Sequence, residues 1–205
     1  MNKILSKTIT IVTFLLIFVN GIAQKNAKSF ETVIEMEDGS TKSGTMKFPI
    51  KLEDKELKLG DEEIETAKIK NVTFTTATGK IEYHNLLVYN YNGKKIKEKK
   101  KLLRLIIPGK VNLYFGETSV TMQVNSAMGL SNFSNGSTLY YFMKENEPAA
   151  TFIHENWNQT FKNGDFKTNA SRYFAENPKI LAKIKDKTYT YENIYQLVME
   201  YNFSN

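Results

Sequence analysis

Two thirds of this chain is written in a period of two and punctuated by tight-turn dipeptides, and then the period changes. Residues 30–37 place Phe30, Thr32, Ile34 and Met36 on one face, with Glu31, Val33, Glu35 and Glu37 on the other. Asp38-Gly39 follows, a strong hairpin signal because glycine supplies positive φ at low cost. Residues 41–48 return and Pro49 stops them; Gly44 inside this strand signals a bulge or a close backbone approach. Short strands are expected again at 56–59, 67–76, 80–91, 102–107, 110–115, 120–124, 139–144 and 150–154. Asn92-Gly93 and Pro108-Gly109 supply further turns, and 126–137, rich in Ser, Asn and Gly, reads as a loop.

Beyond Glu155 the apolar residues recur at helical spacing. Phe166, Ala170, Tyr173 and Phe174 share one helical face. Asn177-Pro178 reads as an N-cap followed by proline at the first helical position. Ile180, Leu181 and Ile184 form the stripe of that helix. Thr190 is a third cap, ahead of Ile194, Leu197, Val198 and Tyr201. Strands first and helices last predict an α+β protein. Its antiparallel body, barrel-like or sandwich-like, has nine or ten short strands, and two or three helices follow. The expected division is a β domain over 24–155 and a helical segment over 156–205 packed on it.

Residues 1–23 have a different character. Lys3 and Lys7 precede an uncharged apolar stretch over 8–19, and Asn20-Gly21-Ile22-Ala23 places small residues before Gln24. This is the three-zone pattern of a secretory signal peptide cut near Ala23. The apolar stretch is shorter than the roughly 20 residues that span a bilayer. The expected product is periplasmic or secreted, with no transmembrane span after cleavage. Net charge is +6 over all 205 residues, with 28 Lys+Arg against 22 Asp+Glu; removing two lysines lowers it to +4. Only Arg104 and Arg172 among the bases are arginine. Arginine is the usual bidentate reader of phosphate and guanine, so nucleic acid is not an expected partner. There is no cysteine, which excludes disulfides, zinc–thiolate sites, cysteine nucleophiles and a lipidated N-terminal cysteine.

Lys94, Lys95, Lys97, Lys99, Lys100 and Lys101 form the densest charge run. It reads either as an anion- or partner-binding strip, for an envelope component or an acidic partner, or as a solvated turn and protected strand edge. Glu53, Asp54, Glu56, Asp61, Glu62, Glu63 and Glu65 fall within 13 residues. They lack the spacing of a calcium loop and read as a solvated segment facing the lysines. His84 and His154 are the only histidines, with Glu82 on the face of His84; with Trp157 they are the alternative pocket residues. Trp157, Phe152 and Phe161 read mainly as the join between sheet and first helix. The sequence has no HExxH, GxSxG, P-loop or GxGxxG motif. It therefore assigns no catalytic residue, metal ligand or cofactor. A non-enzymatic binding protein of the cell envelope is the leading expectation; a hydrolase of glycan, lipid or peptide is the alternative.

The segments LYYFMKENEP (139–148), Phe166-Lys167, SRYFAENPKILAKI (171–184) and KTYTYENIYQLVMEYN (187–202) resemble a family of exported Bacteroidetes proteins, flavobacterial above all. EDGSTKSGTMKF (37–48) and IPGKVNLYF (107–115) are similar in outline to the family's opening hairpin and middle hairpin. The resemblance implies export to the envelope and carries no catalytic or binding residue with it. Family versions often have cysteine before the proline found here at Pro178; Asn177 at that place removes a thiol role. Expression of the whole chain in a bacterium of that kind should yield a product beginning at Gln24 by N-terminal sequencing. Retention of residues 1–23 would make them an anchor instead.

Overall fold

The computed structural model describes residues 28–90, 93–126, 129–156 and 164–204. Ten strands precede three helices: β1 (Ser29–Met36), β2 (Thr41–Lys47), β3 (Glu56–Leu59), β4 (Glu62–Glu65), β5 (Ile69–Thr76), β6 (Gly79–Leu86), β7 (Lys101–Ile107), β8 (Val111–Ser126), β9 (Gly129–Lys144) and β10 (Thr151–Asn156), then α1 (Gly164–Tyr173), α2 (Pro178–Lys185) and α3 (Ile194–Phe203). The α+β class and the order of strands before helices are as the periodicity predicts. Eight strands form one antiparallel sheet in the order β10-β9-β8-β7-β6-β5-β1-β2, and β3 pairs with β4 in a separate hairpin.

The sheet curls back on itself. After β2 the chain reaches β8, where Lys51 and Glu117 form a parallel bridge and the Leu52 amide donates to the Glu117 carbonyl at 2.8 Å. Because β8 pairs with β7 only near residues 113–115, its next stretch has an edge available for this contact. The pairing path therefore runs from β8 through β7, β6, β5, β1 and β2 and back to β8, a barrel-like closure made by one bridge. Inside it Ile34, Met46, Ile50, Val72, Phe74 and Tyr83 are buried, and Leu57, Leu59 and Ile64 of the β3–β4 hairpin close the same core. Gly44 explains how β3 comes so near: a Cβ there would lie 3.0 Å from Leu59 Cγ. The reading of a close approach holds, and the β1–β2 register passes Gly44 without a bulge.

A second core lies at the other end of the sheet. Leu113 and Phe142 face each other across β8–β9 and pack against Phe166, Ala170, Phe174, Ile180, Ile184, Leu197 and Val198 of the helices. Tyr114 and Tyr141, one residue along, belong to a third cluster with Leu103, Val88 and Phe152 on the opposite face. Phe152 packs edge-on against Tyr141, with ring centroids 5.8 Å apart. It thus faces away from the helices, and the sheet-to-helix role expected of it belongs to His154 and Phe166. Trp157 and Phe161 lie outside the described residues. Asn177 caps α2 as expected, its Oδ1 accepting from the Ile180 amide at 3.1 Å. Thr190 precedes a 3-10 turn that leads into α3, and its amide donates to Asn193 Oδ1 at 2.7 Å.

Two further expectations are corrected. Of residues 126–137, read as a loop, 126 and 129–137 belong to strands β8 and β9, which pair from Val111↔Lys144 to Ser126↔Gly129. Ladder hydrogen bonds depend on backbone and not on side-chain polarity, so a register fixed by the apolar pairs at 113–115 can propagate through a polar stretch. The strand expected over 80–91 ends at Leu86. Val88 then leaves the sheet to bridge Ala150, and Tyr89 meets Ile96 across a turn in which Gly93 has φ of 68°. Among the described residues no helix is long and apolar enough to cross a membrane.

A side chain of α3 is fastened to the first residue of β8. Asn202 on α3 accepts from the Val111 amide at 2.8 Å and donates to its carbonyl at 3.0 Å, completing the hydrogen bonds where β8 begins. Asn202→Ala should leave both backbone groups without partners. The expected cost is about 2 kcal/mol, or roughly 4–8 °C in Tm for a domain of this size. A thermal melt unchanged from wild type would show that water replaces the amide.

Candidate functional site

A cleft of about 850 Å³ lies between three short segments: Leu52–Glu56, Glu65–Ala67 and Glu98–Lys101. Each wall follows from the fold. The first is the stretch that leaves the Lys51–Glu117 bridge, where Lys51 Nζ also pairs with the Glu117 carboxylate at 2.8 Å. The second ends β4 and begins the 3-10 turn at Thr66–Lys68. The third brings the lysine run into β7. Lys101 spans the gap by donating from Nζ to the Leu52 carbonyl at 3.0 Å.

The acidic wall is held by specific bonds. Glu53 accepts from the Ser119 amide at 2.7 Å and also from its hydroxyl. Burial acts to raise the Glu53 pKa, but the two Ser119 bonds outweigh it, and the net shift is downward. Asp54 Oδ2 accepts from the Lys51 amide at 2.8 Å, yet burial dominates there and raises its pKa. Asp54 and Glu56 also border a second cleft of about 540 Å³, between β2 and the β3–β4 hairpin. Glu65 pairs with Lys68, and Glu62 with Lys42 on β2.

The six lysines fall into two groups. Lys94, Lys95 and Lys97 are exposed on the turn between β6 and β7, where the Lys94 and Lys95 amides donate to Asn90 Oδ1 at 3.0 and 3.3 Å. Lys99, Lys100 and Lys101 line the cleft. Lys100 also reaches Glu37 at 2.5 Å, so it anchors the β1–β2 hairpin. The charged side chains of the cleft with neither an ion pair nor a hydrogen bond to any described residue are Lys55, Glu56, Glu98 and Lys99. The sequence placed an acidic run opposite a basic run, and the cleft is where they meet. It gave no sign of Lys55 as part of that wall, nor of Ser119 as the support of Glu53, because Ser119 arrives through pairing 66 residues away.

The histidines sit elsewhere, and neither cleft is lined by one. His84 on β6 shares its sheet row with Asn71 and Leu103. Its Nδ1 is hydrogen-bonded to the Tyr114 hydroxyl at 3.0 Å, and Nε2 lies 3.8 Å from Glu82 Oε2, an electrostatic contact too long for a hydrogen bond. His154 is buried among Tyr191, Tyr140 and Phe166, its ring centroid 4.6 Å from that of Tyr191. It packs between sheet and helices. Trp157 falls outside the described residues, and so does any pocket it forms with the two histidines. Among the described residues no three acidic or histidine side chains converge as metal ligands.

Against protein-family models, curated proteins and solved structures, the chain finds no match. The site's chemistry therefore rests on its own residues.

Burial lowers the His84 pKa below the ordinary 6.5, and the Glu82 carboxylate opposes that shift. A histidine with a lowered folded pKa favours the neutral form. Its contribution to stability is complete above pH 6.5 and is lost as pH falls through the folded value. In a proton NMR titration His84 should titrate below 6.5, and Glu82→Gln should lower the midpoint further. A midpoint raised by Glu82→Gln would assign the shift to another group.

Proposed function

We propose that this chain is an exported cell-envelope protein that binds an acidic partner or envelope component at the cleft between Leu52–Glu56 and Glu98–Lys101, and that it does so without catalysis. The observation that carries this reading is the lining of the cleft. It is large enough for a ligand, and Lys55 and Lys99 stand in it with no carboxylate partner among the described residues. An ammonium group already paired, like that of Lys100, offers an incoming anion less than one that is unpaired. The leader pattern of residues 1–23 and the resemblance to exported Bacteroidetes proteins support the envelope location. A hydrolase reading is disfavoured because a general base is sought first in histidine, and both clefts lack one.

The test uses the protein from Gln24 onward and washed envelope membranes of a flavobacterium. In co-sedimentation at low salt, Lys55→Ser combined with Lys99→Ser should weaken association at least tenfold, and Lys94→Ser with Lys95→Ser should leave it unchanged. Association should also fall as salt rises, since the contact is between charges. Equal association of wild type and the Lys55/Lys99 variant would overturn the assignment of the cleft.

A further inference from the structure

Five strands of the sheet carry one continuous row of side chains. Tyr83 on β6 faces Arg104 on β7, Arg104 faces Phe115 on β8, Phe115 faces Tyr140 on β9, and Tyr140 faces His154 on β10. The row joins the core enclosed by the barrel-like curl to the core beneath the helices. Its one permanent charge is Arg104. The guanidinium carbon lies 5.5 Å over the Phe48 ring and 5.2 Å over the Phe115 ring.

Arg104 is half-buried, and among the described residues no carboxylate, carbonyl or hydroxyl accepts a hydrogen bond from it. The acid two residues beyond Phe115, Glu117, is taken by Lys51 at 2.8 Å. Next to Arg104 in the row, the Tyr83 hydroxyl is fully enclosed and has no hydrogen-bond partner; the Ile50 amide is near enough to lower its pKa but does not bond to it. None of the Arg104 nitrogens is enclosed without a partner in that way, so each keeps some contact with solvent.

This arrangement is costly for a cation with only a packing role. Part of its hydration is lost, and ring faces return only a fraction of it. The chain has 28 basic residues, and arginine is used at only two. A lysine would snorkel to water from the same strand position. What arginine adds is a rigid planar fork with two parallel donors, its carbon placed over two aromatic rings. That geometry matches a carboxylate, whose two oxygens lie in one plane with the fork. A tetrahedral phosphate has further oxygens to satisfy, and the groups packed against this guanidinium are rings that offer them no strong donor.

We infer that Arg104, held against Phe48 and Phe115, is a binding site for a carboxylate group. The site does not depend on the charged cleft or on its partner. The Arg172 guanidinium, by contrast, has its own acceptor in Asn169 Oδ1 at 2.8 Å, which makes it an internal reference.

The experiment is an arginine side-chain nitrogen–proton NMR titration of the full mature protein, in which two Nε–H signals are expected. Arg172→Lys assigns them by removing one. Sodium acetate and inorganic phosphate are titrated separately at constant ionic strength. Acetate should shift the Arg104 signal to saturation with a midpoint in the millimolar range, on the order of what so small a ligand can reach. The Arg172 signal should move at most a fifth as far. The phosphate midpoint should be at least fivefold higher. An Arg104 signal that moves no further than that of Arg172, or that never saturates, would leave Arg104 a packing residue and sink the proposal. A phosphate midpoint at or below that of acetate would overturn the carboxylate assignment. Neither result bears on the co-sedimentation test of Lys55 and Lys99.

Discussion

The bridge between Lys51 and Glu117 organises more of this molecule than any other contact. A backbone bond of 2.8 Å from Leu52 and an ion pair of 2.8 Å from Lys51 fix the chain after β2 against the free edge of β8. Three consequences follow. The sheet closes into a curl that encloses an apolar core. Residues 52–56 become a wall facing the start of β7, so the cleft exists. Glu117 is neutralised by Lys51, which leaves Arg104 without an acid on the neighbouring strand. Gly116 permits all of this, because a Cβ there would stand 2.5 Å from Leu52 Cδ2. The ion pair is partly exposed and contributes modestly by itself. The closure is strong because bridge, ion pair and Leu52 packing are satisfied by the same few residues.

Much of the fold was legible because its elements are coded locally. Alternation at 30–37, Asp38-Gly39 with φ of 83° at the glycine, and the Asn177-Pro178 cap each depend on residues a few positions apart. Within the β8–β9 hairpin beyond Glu117, the strand at 120–124 was legible from Val120, Met122 and Val124, but 129–137 was not, since its polar residues carry no period-two signal and its register is inherited from Leu113 and Phe115. The cleft was half legible. Opposed runs of lysine and acid are visible in sequence, but Ser119, Lys55 and the Lys51–Glu117 bridge enter only through long-range pairing. Arg104 gave no signal either: its position in the strand looks ordinary until Phe48 and Phe115 are brought over it.

The charge pattern also changes meaning in three dimensions. The lysine run looks uniform, yet its members do different things. Lys100 ties β7 to the first hairpin through Glu37, and Lys101 ties it to Leu52. Both lie where β7 begins, so the run is partly a fastening for a strand end. Only Lys99 of that trio, with Lys55 opposite, stays available. A strip of six equivalent cations would attract any polyanion in proportion to charge. Lys55 and Lys99 attract an acid that aligns with them, while Glu56 and Glu98 in the same cleft repel one that does not, so the cleft discriminates by position.

Lysine and arginine divide the remaining work by their chemistry. Lysine serves where a flexible stem must reach an acid or carbonyl on another element, as at Lys51, Lys144 and Lys183. Its strong hydration makes such pairs replaceable and sensitive to salt. Arg104 has no such partner and cannot shed its charge, so aromatic faces must carry it. A cysteine-free chain has no disulfide with which to hold such a feature in place. The row from Tyr83 to His154 does that instead, since each member is fixed by its strand pairing. Softening the core enclosed by the curl would loosen Phe48, which packs against it, beside the guanidinium. Carboxylate binding at Arg104 should therefore weaken in destabilised variants before the sheet itself comes apart.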